Sequence, residues 1–198
     1  MAQFNADSRA WISPPDEPLA DWQQRTLDGF YDAEVAYQDA QLGRLLDGLK
    51  QSGALDNTMV VITADHGEGH GDHDYMGHSF VVYQELVHVP LLIRYPDMYP
   101  AGHTTSRNIS TRRLFHTILE AAGVRTVDST LSLRHALNGQ PDSETLAFAE
   151  AFPPDNLLSV LQSTKPDVVQ ARQLRQVRRG VYAGDHKLAL VGDTTEQL

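Results

Sequence analysis

Cysteine is absent from the 198 residues, which excludes disulfides, thiolate zinc sites and a cysteine nucleophile within this chain. The compartment stays undecided, because disulfide-free proteins occur in both oxidising and reducing surroundings. Long apolar runs are also missing: the longest candidate, the broken ELVHVPLLI, falls well short of the about 20 residues that a membrane span needs. Basic residues are scarce. Sixteen against 26 acidic ones give a net charge of −10 and a pI near 5.2, which argues against a nucleic-acid or anionic-membrane surface. An anionic substrate is not excluded by that balance, since a bound divalent cation reverses the potential locally. The opening MAQFNADSRAW lacks the basic end and apolar centre of a signal peptide, and no internal repeat or low-complexity tract is present.

What is there suffices for one good-sized core: 41% of the residues are hydrophobic, in a chain of single-domain length. Residues 1–20 read as an irregular lead-in, rich in proline and polar groups, and residues 21–198 as one unit. From Asp21 to Lys50, Leu27, Tyr31, Val35, Leu42, Leu45, Leu46 and Leu49 recur at helical spacings, and Gly53 stands where a terminator belongs. TMVVIT, Thr58 to Thr63, is β-branched without alternation, the pattern of a strand covered on both faces. A short helix or turn in SFVVYQEL leads to a second buried strand, Val89 to Arg94, stopped by Pro96; Pro90 lies early in it, where a missing ladder donor is tolerated. STRRLFHTILEAAG predicts a helix with Ser110 or Thr111 as N-cap, Leu114, Phe115, Ile118 and Leu119 as its apolar face and Gly123 closing it. SLRHALNGQ reads as a helical turn, TLAFAEA as a strand, and Phe152 to Pro166 as the most loop-like internal stretch. The tail LRQVRRGVYAGDHKLALVGD predicts a hairpin around AGDH. Helix, short loop and buried strand in succession are the grammar of an α/β fold. The expectation is a mainly parallel or mixed sheet flanked by helices, with a small antiparallel sheet near the C-terminus.

Chemistry concentrates in one place, TADHGEGHGDHDYMGHS, directly after the first strand. Open α/β sheets place ligands and catalytic groups at the carboxyl ends of their strands, which is where Asp65 and His66 stand. Gly67, Gly69, Gly71 and Gly77 let the backbone turn tightly and approach a small object. A carboxylate oxygen beside an imidazole nitrogen suits a divalent cation of intermediate character, manganese or zinc rather than calcium. Two ligands leave a coordination shell unfilled, so the others have to come from elsewhere. Glu68, Asp72 and Asp74 read as solvating groups and His70 as a surface histidine. His73 and His78 are open between ligand, proton donor and packed polar group. His88 reads as a packing or supporting residue, His116 as structural, and His103, His135 and His186 as turn residues without function.

The run DNTMVVITADHGEGHGDHDYMGHSFVVYQELVHVPLLIRYP closely resembles the sulfatases of the alkaline-phosphatase superfamily, whose pattern passes from a buried strand through Asp-His-Gly-Glu and a glycine and histidine loop into Val-Pro-Leu-Ile-Ile-Arg. YDAEVAYQDAQLGRLLDGLKQSGALDNT resembles the helix before that strand, FHTILEAAGV the family's later helix, and VRRGVYAGDHKLALVGDTTEQL its arginine-bearing hairpin. The resemblance covers about Tyr31 to the end. It implies that Asp65 and His66 bind the active-site divalent ion: manganese, calcium, magnesium or zinc. Relatives with asparagine at the second position use calcium, so His66 favours manganese or zinc. It places His78 where relatives contact the ester's anionic oxygens or assist the leaving group, and His73 at a histidine that shapes the site or touches substrate. Glu68, Tyr83 and Glu85 become supports of the loop, and Arg94 a structural residue.

The family's nucleophile, set in Cys/Ser-x-Pro-x-Arg, has no counterpart here: Ser13 and Pro15 are at the right offset, but Glu17 stands where arginine is needed. The paired aspartates that complete the metal shell are missing too, and the chain stops at EQL. The expectation is therefore the C-terminal part of a longer enzyme, inactive alone, whose missing N-terminal part is its partner and whose substrate is a small anionic ester, with neither nucleic acid nor membrane. Sulfuric ester hydrolysis is the first reading. A phosphate or phosphonate ester hydrolase of the same superfamily is the second, and a non-catalytic metal-binding module derived from such an enzyme the third.

Overall fold

The computed structural model describes residues 19–124, 129–137 and 146–195. Most of the expected lead-in, with Ser13, Pro15 and Glu17, lies outside them, as do Thr145, the end of SLRHALNGQ and the final EQL. In chain order the elements are α1 (Asp21–Gln51), β1 (Val60–Thr63), β2 (Gly69–His70), β3 (Met76–Gly77), α2 (Gln84–Val87), β4 (Leu91–Arg94), α3 (Arg113–Ala121), α4 (Leu133–Leu137), β5 (Leu146–Ala151), α5 (Asp155–Thr164), α6 (Pro166–Ala171), β6 (Arg178–Ala183), β7 (His186–Val191) and β8 (Thr194–Thr195). No helix among the described residues is long and apolar enough to cross a membrane.

β1 and β4 pair antiparallel, with Val61 opposite Ile93. The hairpin expected around AGDH is present as β6 and β7, closed by Gly184 and Asp185, and β5 and β8 extend it to the sheet order β5-β6-β7-β8. Every pair among the described residues is antiparallel, so the parallel component inferred from the unalternating VVIT is not made between β1 and β4. Nor are those strands covered on both faces: Val60, Val61 and Ile62 are half-buried, and Leu92 is 57% exposed.

The core sits elsewhere, between the glycine-rich loop and α5–α6. Tyr75, Phe80, Val81 and Leu86 pack with Leu161, Val169 and Leu174. Phe80 holds φ at 70°, a conformation that costs a bulky residue about 1–2 kcal/mol. Its ring is 1% exposed, and burying it yields roughly 2–3 kcal/mol, so burial outweighs the strain. The extended stretch after it makes no ladder, yet its carbonyls are satisfied by cations from the hairpin. Arg178 donates to Phe80 O at 2.9 Å and Lys187 Nζ to Val82 O at 2.6 Å, which answers the requirement that buried backbone groups be paired. A Cβ on Gly180 would meet Val82 at 3.5 Å, an ordinary contact, so this approach does not depend on the glycine.

Three expectations need correcting. Phe152 to Pro166 is not a loop: α5 fills it, with Pro154 as N-cap and Pro166 at the first turn of α6, so the prolines bound helices instead of breaking one. In α3 the buried face is Arg113 and Thr117, whereas Phe115 is 64% and Ile118 47% exposed. Arg113 donates to the carbonyls of Thr130 and Ser132, and Thr117 Oγ1 accepts from Leu133 N; the segment leading into α4 demands donors and acceptors there. Arg112, not Ser110 or Thr111, is the N-cap. The 31-residue α1 forms as its periodicity predicts, but none of its residues is buried. Arg94 is structural as expected, donating to Leu55 O at 2.7 Å and so tying β4 to the turn before β1.

Candidate active site

The loop from Asp65 to Phe80 is a folded hairpin. β2 and β3 pair through Gly69↔Gly77 and His70↔Met76, and Gly71 and Gly77 take φ of 111° and 90°. Gly67 and Gly69 serve by lacking a side chain: a Cβ on Gly67 would land on the Glu85 carbonyl oxygen, and one on Gly69 would crowd the Tyr75 ring. That closeness lets Gly67 N donate to Leu86 O at 2.8 Å, pinning the loop to α2. Tyr75, 1% exposed, anchors the far side, its hydroxyl accepting from Ser79 N at 2.8 Å.

Asp65 and His66 emerge together just past β1. Asp65 Oδ1 accepts from His66 N at 3.1 Å, and its Oδ2 lies 3.8 Å from His66 Nε2. His66 Nδ1 is 2.8 Å from Gly67 O; since a carbonyl only accepts, Nδ1 carries the hydrogen and Nε2 presents a lone pair on the Asp65 side. This is the tautomer a metal ligand needs. The Asp65 side chain is 91% exposed and that of His66 44%, so the pair is open to an incoming ion. An oxygen and an imidazole nitrogen fit a divalent cation as half of a shell. Among the described residues no group of three or more such ligands comes together.

His78 joins this pair through a ring stack on His66, with centroids 4.3 Å apart. Its Nδ1 is 2.9 Å from Glu68 Oε2, which fixes the ring and directs Nε2 away from the carboxylate. His73 is held apart, its Nδ1 2.9 Å from Glu85 Oε1 and its ring stacked on Tyr83 at 4.4 Å. It shares no hydrogen bond or ring contact with Asp65, His66 or His78. Glu68, Tyr83 and Glu85 thus each hold a loop histidine. Asp72 and Asp74 are exposed, as solvating groups are.

His70 is not a surface histidine. Its Nδ1 lies 3.1 Å from Asp28 Oδ1, its ring meets Tyr31 edge-on, and Gln24 Nε2 donates both to Asp28 and to His70 O. Gln24, Asp28 and Tyr31 share one face of α1 by their spacing, a signal present in the sequence but silent about what it would grip. His88 is exposed beside a cavity with Gln84 and Tyr182. His135 lies within α4 and His186 opens β7, neither in a turn.

Outside the loop, the sequence singled out nothing at Arg172. Its guanidinium reaches Asp74 O at 3.4 Å, next to His73, across a separation that no local pattern reports. Tyr182 is a second such residue. Burial first, and then the Glu85 carboxylate, push its phenol up from 10.0 to about 12.

The sequence model of the sulfatase family matches residues 9–124. The N-acetylglucosamine-6-O-sulfatase of Bacteroides thetaiotaomicron is 38% identical over 106 residues, covering 54% of this chain and 19% of that enzyme. Arylsulfatase K of Xenopus laevis is 35% identical over 108 residues, covering 54% of this chain and 20% of the relative. The chain therefore spans only about a fifth of the length of these relatives. A solved protein in complex with its substrate D-glucosamine-2-N,6-O-disulfate superposes with a TM-score of 0.70 and 26% identity over 98% of this chain and 37% of its own. The phosphonate monoester hydrolase of Silicibacter pomeroyi does so with a TM-score of 0.71 and 26% identity, over 98% and 38%. The fold is the alkaline-phosphatase-like one those two share, and with over half of its residues inside the family match, this chain belongs to the sulfatase family.

Proposed function

We propose that this chain is the metal- and anion-holding part of a sulfuric ester hydrolase. Asp65 and His66 would hold one divalent ion, with manganese or zinc favoured by the imidazole. His78 would contact the ester's anionic or departing oxygen, and His73 would border the substrate. The observation that supports this most is the clustering of Asp65, His66 and His78, with His66 Nε2 bare beside the carboxylate.

An ionised sulfate ester repels an anionic nucleophile, and a divalent cation bound here would supply the charge that offsets the repulsion. The chain's own residues do the rest. Glu68 accepts from His78 Nδ1 and orients the ring, so that only the protonated imidazolium, carrying a second hydrogen on Nε2, would donate to the leaving oxygen as negative charge develops there. Glu85 and Tyr83 fix His73 in the same manner. The nucleophile and the remaining metal ligands belong to parts of the complete enzyme other than the residues named here.

The test is metal content and paired hydrolysis in the complete enzyme. Asp65→Ala is expected to remove the metal and with it turnover of an aryl sulfate; retained full occupancy defeats the ligand assignment. A phosphonate or phosphate ester is the second reading, supported by the similarity to the Silicibacter hydrolase. A higher kcat/KM for an aryl phosphonate ester than for the matching sulfate would select it.

A further inference from the structure

None of the residues of α1 is buried, so the helix has no core of its own to hold it. One short stretch of it is nevertheless fastened to the glycine-rich loop. Gln24 Nε2 carries two hydrogens and donates to Asp28 Oδ1 at 2.9 Å and to His70 O at 2.6 Å. The same Asp28 oxygen lies 3.1 Å from His70 Nδ1; a carboxylate only accepts, so Nδ1 carries the hydrogen. Tyr31, on the same helix face, meets the His70 ring edge-on at 4.5 Å. Gly71 passes close by, where a Cβ would meet Gln24 Oε1 at 3.2 Å.

Space filling does not account for the histidine. His70 Nε2 is buried with no hydrogen-bond partner among the described residues, a cost that an apolar side chain in this place would not carry. What the imidazole adds is a directed bond to α1. Its position in the loop gives that bond a consequence. His70 pairs with Met76 and Gly69 with Gly77; the next residues outward are Glu68 and His78, joined through Glu68 Oε2 and His78 Nδ1 at 2.9 Å. A hairpin this short is marginal by itself, and glycine-rich strands specify their register weakly. With glycine on both sides of the rung between, no side chain there keeps Glu68 opposite His78. His70 lies two residues from Glu68, and along a strand such residues share a face, so a grip on His70 sets the strand that carries Glu68.

We propose that Gln24, Asp28 and His70 form a clamp through which α1 fixes the Glu68 and His78 pair, making His70 a positioning residue for the reach of His78 Nε2 to the leaving oxygen. The inference rests on the proposed ester hydrolysis and adds to it a part for α1. No atom of the clamp touches the reacting groups; it acts through the backbone of β2. With the clamp open, the short ladder is free to twist or slip, Glu68 moves out of line with His78, and the imidazole turns away from the leaving oxygen. Asp65 and His66 are anchored separately, by the bond from Gly67 N to Leu86 O at 2.8 Å, so the metal ligands stay in place.

The experiment compares Asp28→Ala and Asp28→Asn with the unsubstituted complete enzyme on two aryl sulfates, one releasing a nitrophenol and one a phenol. Proton assistance matters most where the departing oxygen is basic. Asp28→Ala is expected to lower kcat on the phenyl ester about 10-fold, part of the about 100-fold that a positioned donor supplies, and on the nitrophenyl ester less than about threefold. KM and metal content should stay as they were. Asp28→Asn keeps an oxygen that accepts from both Gln24 and His70, and should restore kcat. Adding Asp28→Ala to His78→Ala should lower kcat no further. Equal losses on the two esters, or the full further loss in the His78→Ala background, overturn the inference, because Asp28 then only supports the fold. Should Asp28→Ala fail to fold, Gln24→Ala, which removes the bonds to Asp28 and to His70 O, is read by the same criteria. Histidine-selective nitrogen NMR of the complete protein separates the two proposals. A His78 signal that moves in Asp28→Ala and returns in Asp28→Asn, in a protein that hydrolyses no sulfate, keeps the clamp and discards the sulfatase reading. An unmoved His78 signal in a protein that hydrolyses both esters discards the clamp alone.

Discussion

The imidazole of His66 lies face to face with that of His78, the centroids 4.3 Å apart and the planes 22° from parallel. The two residues stand at opposite ends of the loop. The β2–β3 pairing folds the chain back, and the Glu68 carboxylate then holds the second ring over the first. The proposed ligand nitrogen and the proposed donor for the leaving oxygen are thus brought together by one small hairpin.

Replacing His78 by alanine in the complete enzyme should lower kcat by about 100-fold, the usual worth of a positioned proton donor, with metal content nearly normal. Glu68→Gln keeps the hydrogen-bonding shape and removes the charge, so its loss should be several-fold and confined to kcat. Metal lost together with the His78 ring would show that the residue supports the ion instead.

Gly67→Ala would place its Cβ on the Glu85 carbonyl oxygen. Either the loop or α2 has to yield, and the Gly67 N to Leu86 O hydrogen bond yields with it. Overpacking of this kind costs about 1–3 kcal/mol. A lower urea midpoint with an unchanged m-value is expected, accompanied by weaker metal retention as Asp65 and His66 shift. An unaltered midpoint would mean that the contact between loop and α2 is soft.

Tyr182 makes the stability sensitive to alkaline pH. Its phenol is raised by burial and by Glu85 from 10.0 to about 12, so the folded chain keeps a proton that the unfolded chain has already lost. Stability should therefore be intact below pH 10.0 and fall as the pH rises through about 12. Tyr99 is also raised by burial, so phenolate absorbance should show late-titrating tyrosines of which one is lost in Tyr182→Phe, and the same variant should lessen the alkaline loss. Its buried hydroxyl has no hydrogen-bond partner among the described residues, so removing it should leave neutral-pH stability unchanged or slightly higher. A Tyr182→Phe variant with the full alkaline loss would assign the effect elsewhere.

Local chemistry was legible where it is local. The three- and four-residue spacing of α1, the β-branched VVIT and the AGDH turn each specify an element by backbone preference and period alone, and those elements formed where expected. Burial was not legible in the same way. Phe115 and Ile118 form an apolar stripe on α3, yet Arg113 and Thr117 are inside, because the segment from Thr130 to Leu133 presents carbonyls and an amide that need partners. Pro153 and Pro154 at the start of Phe152 to Pro166 and Pro166 at its end suggested a loop; proline at a helix start is also favourable, and Leu161 and Val169 are held by the core around Tyr75 and Phe80.

By itself the order of residues determined the family, the run of elements, and the presence of carboxylate, imidazole and glycine in one loop, since these depend on side-chain identity and short-range geometry. Only the tertiary structure decided that His78 stacks on His66, that His70 grips Asp28 of α1, and that Arg172 reaches beside His73. Such contacts join residues distant in the chain, and their formation depends on how buried backbone groups are satisfied and how the core packs, which no local pattern encodes.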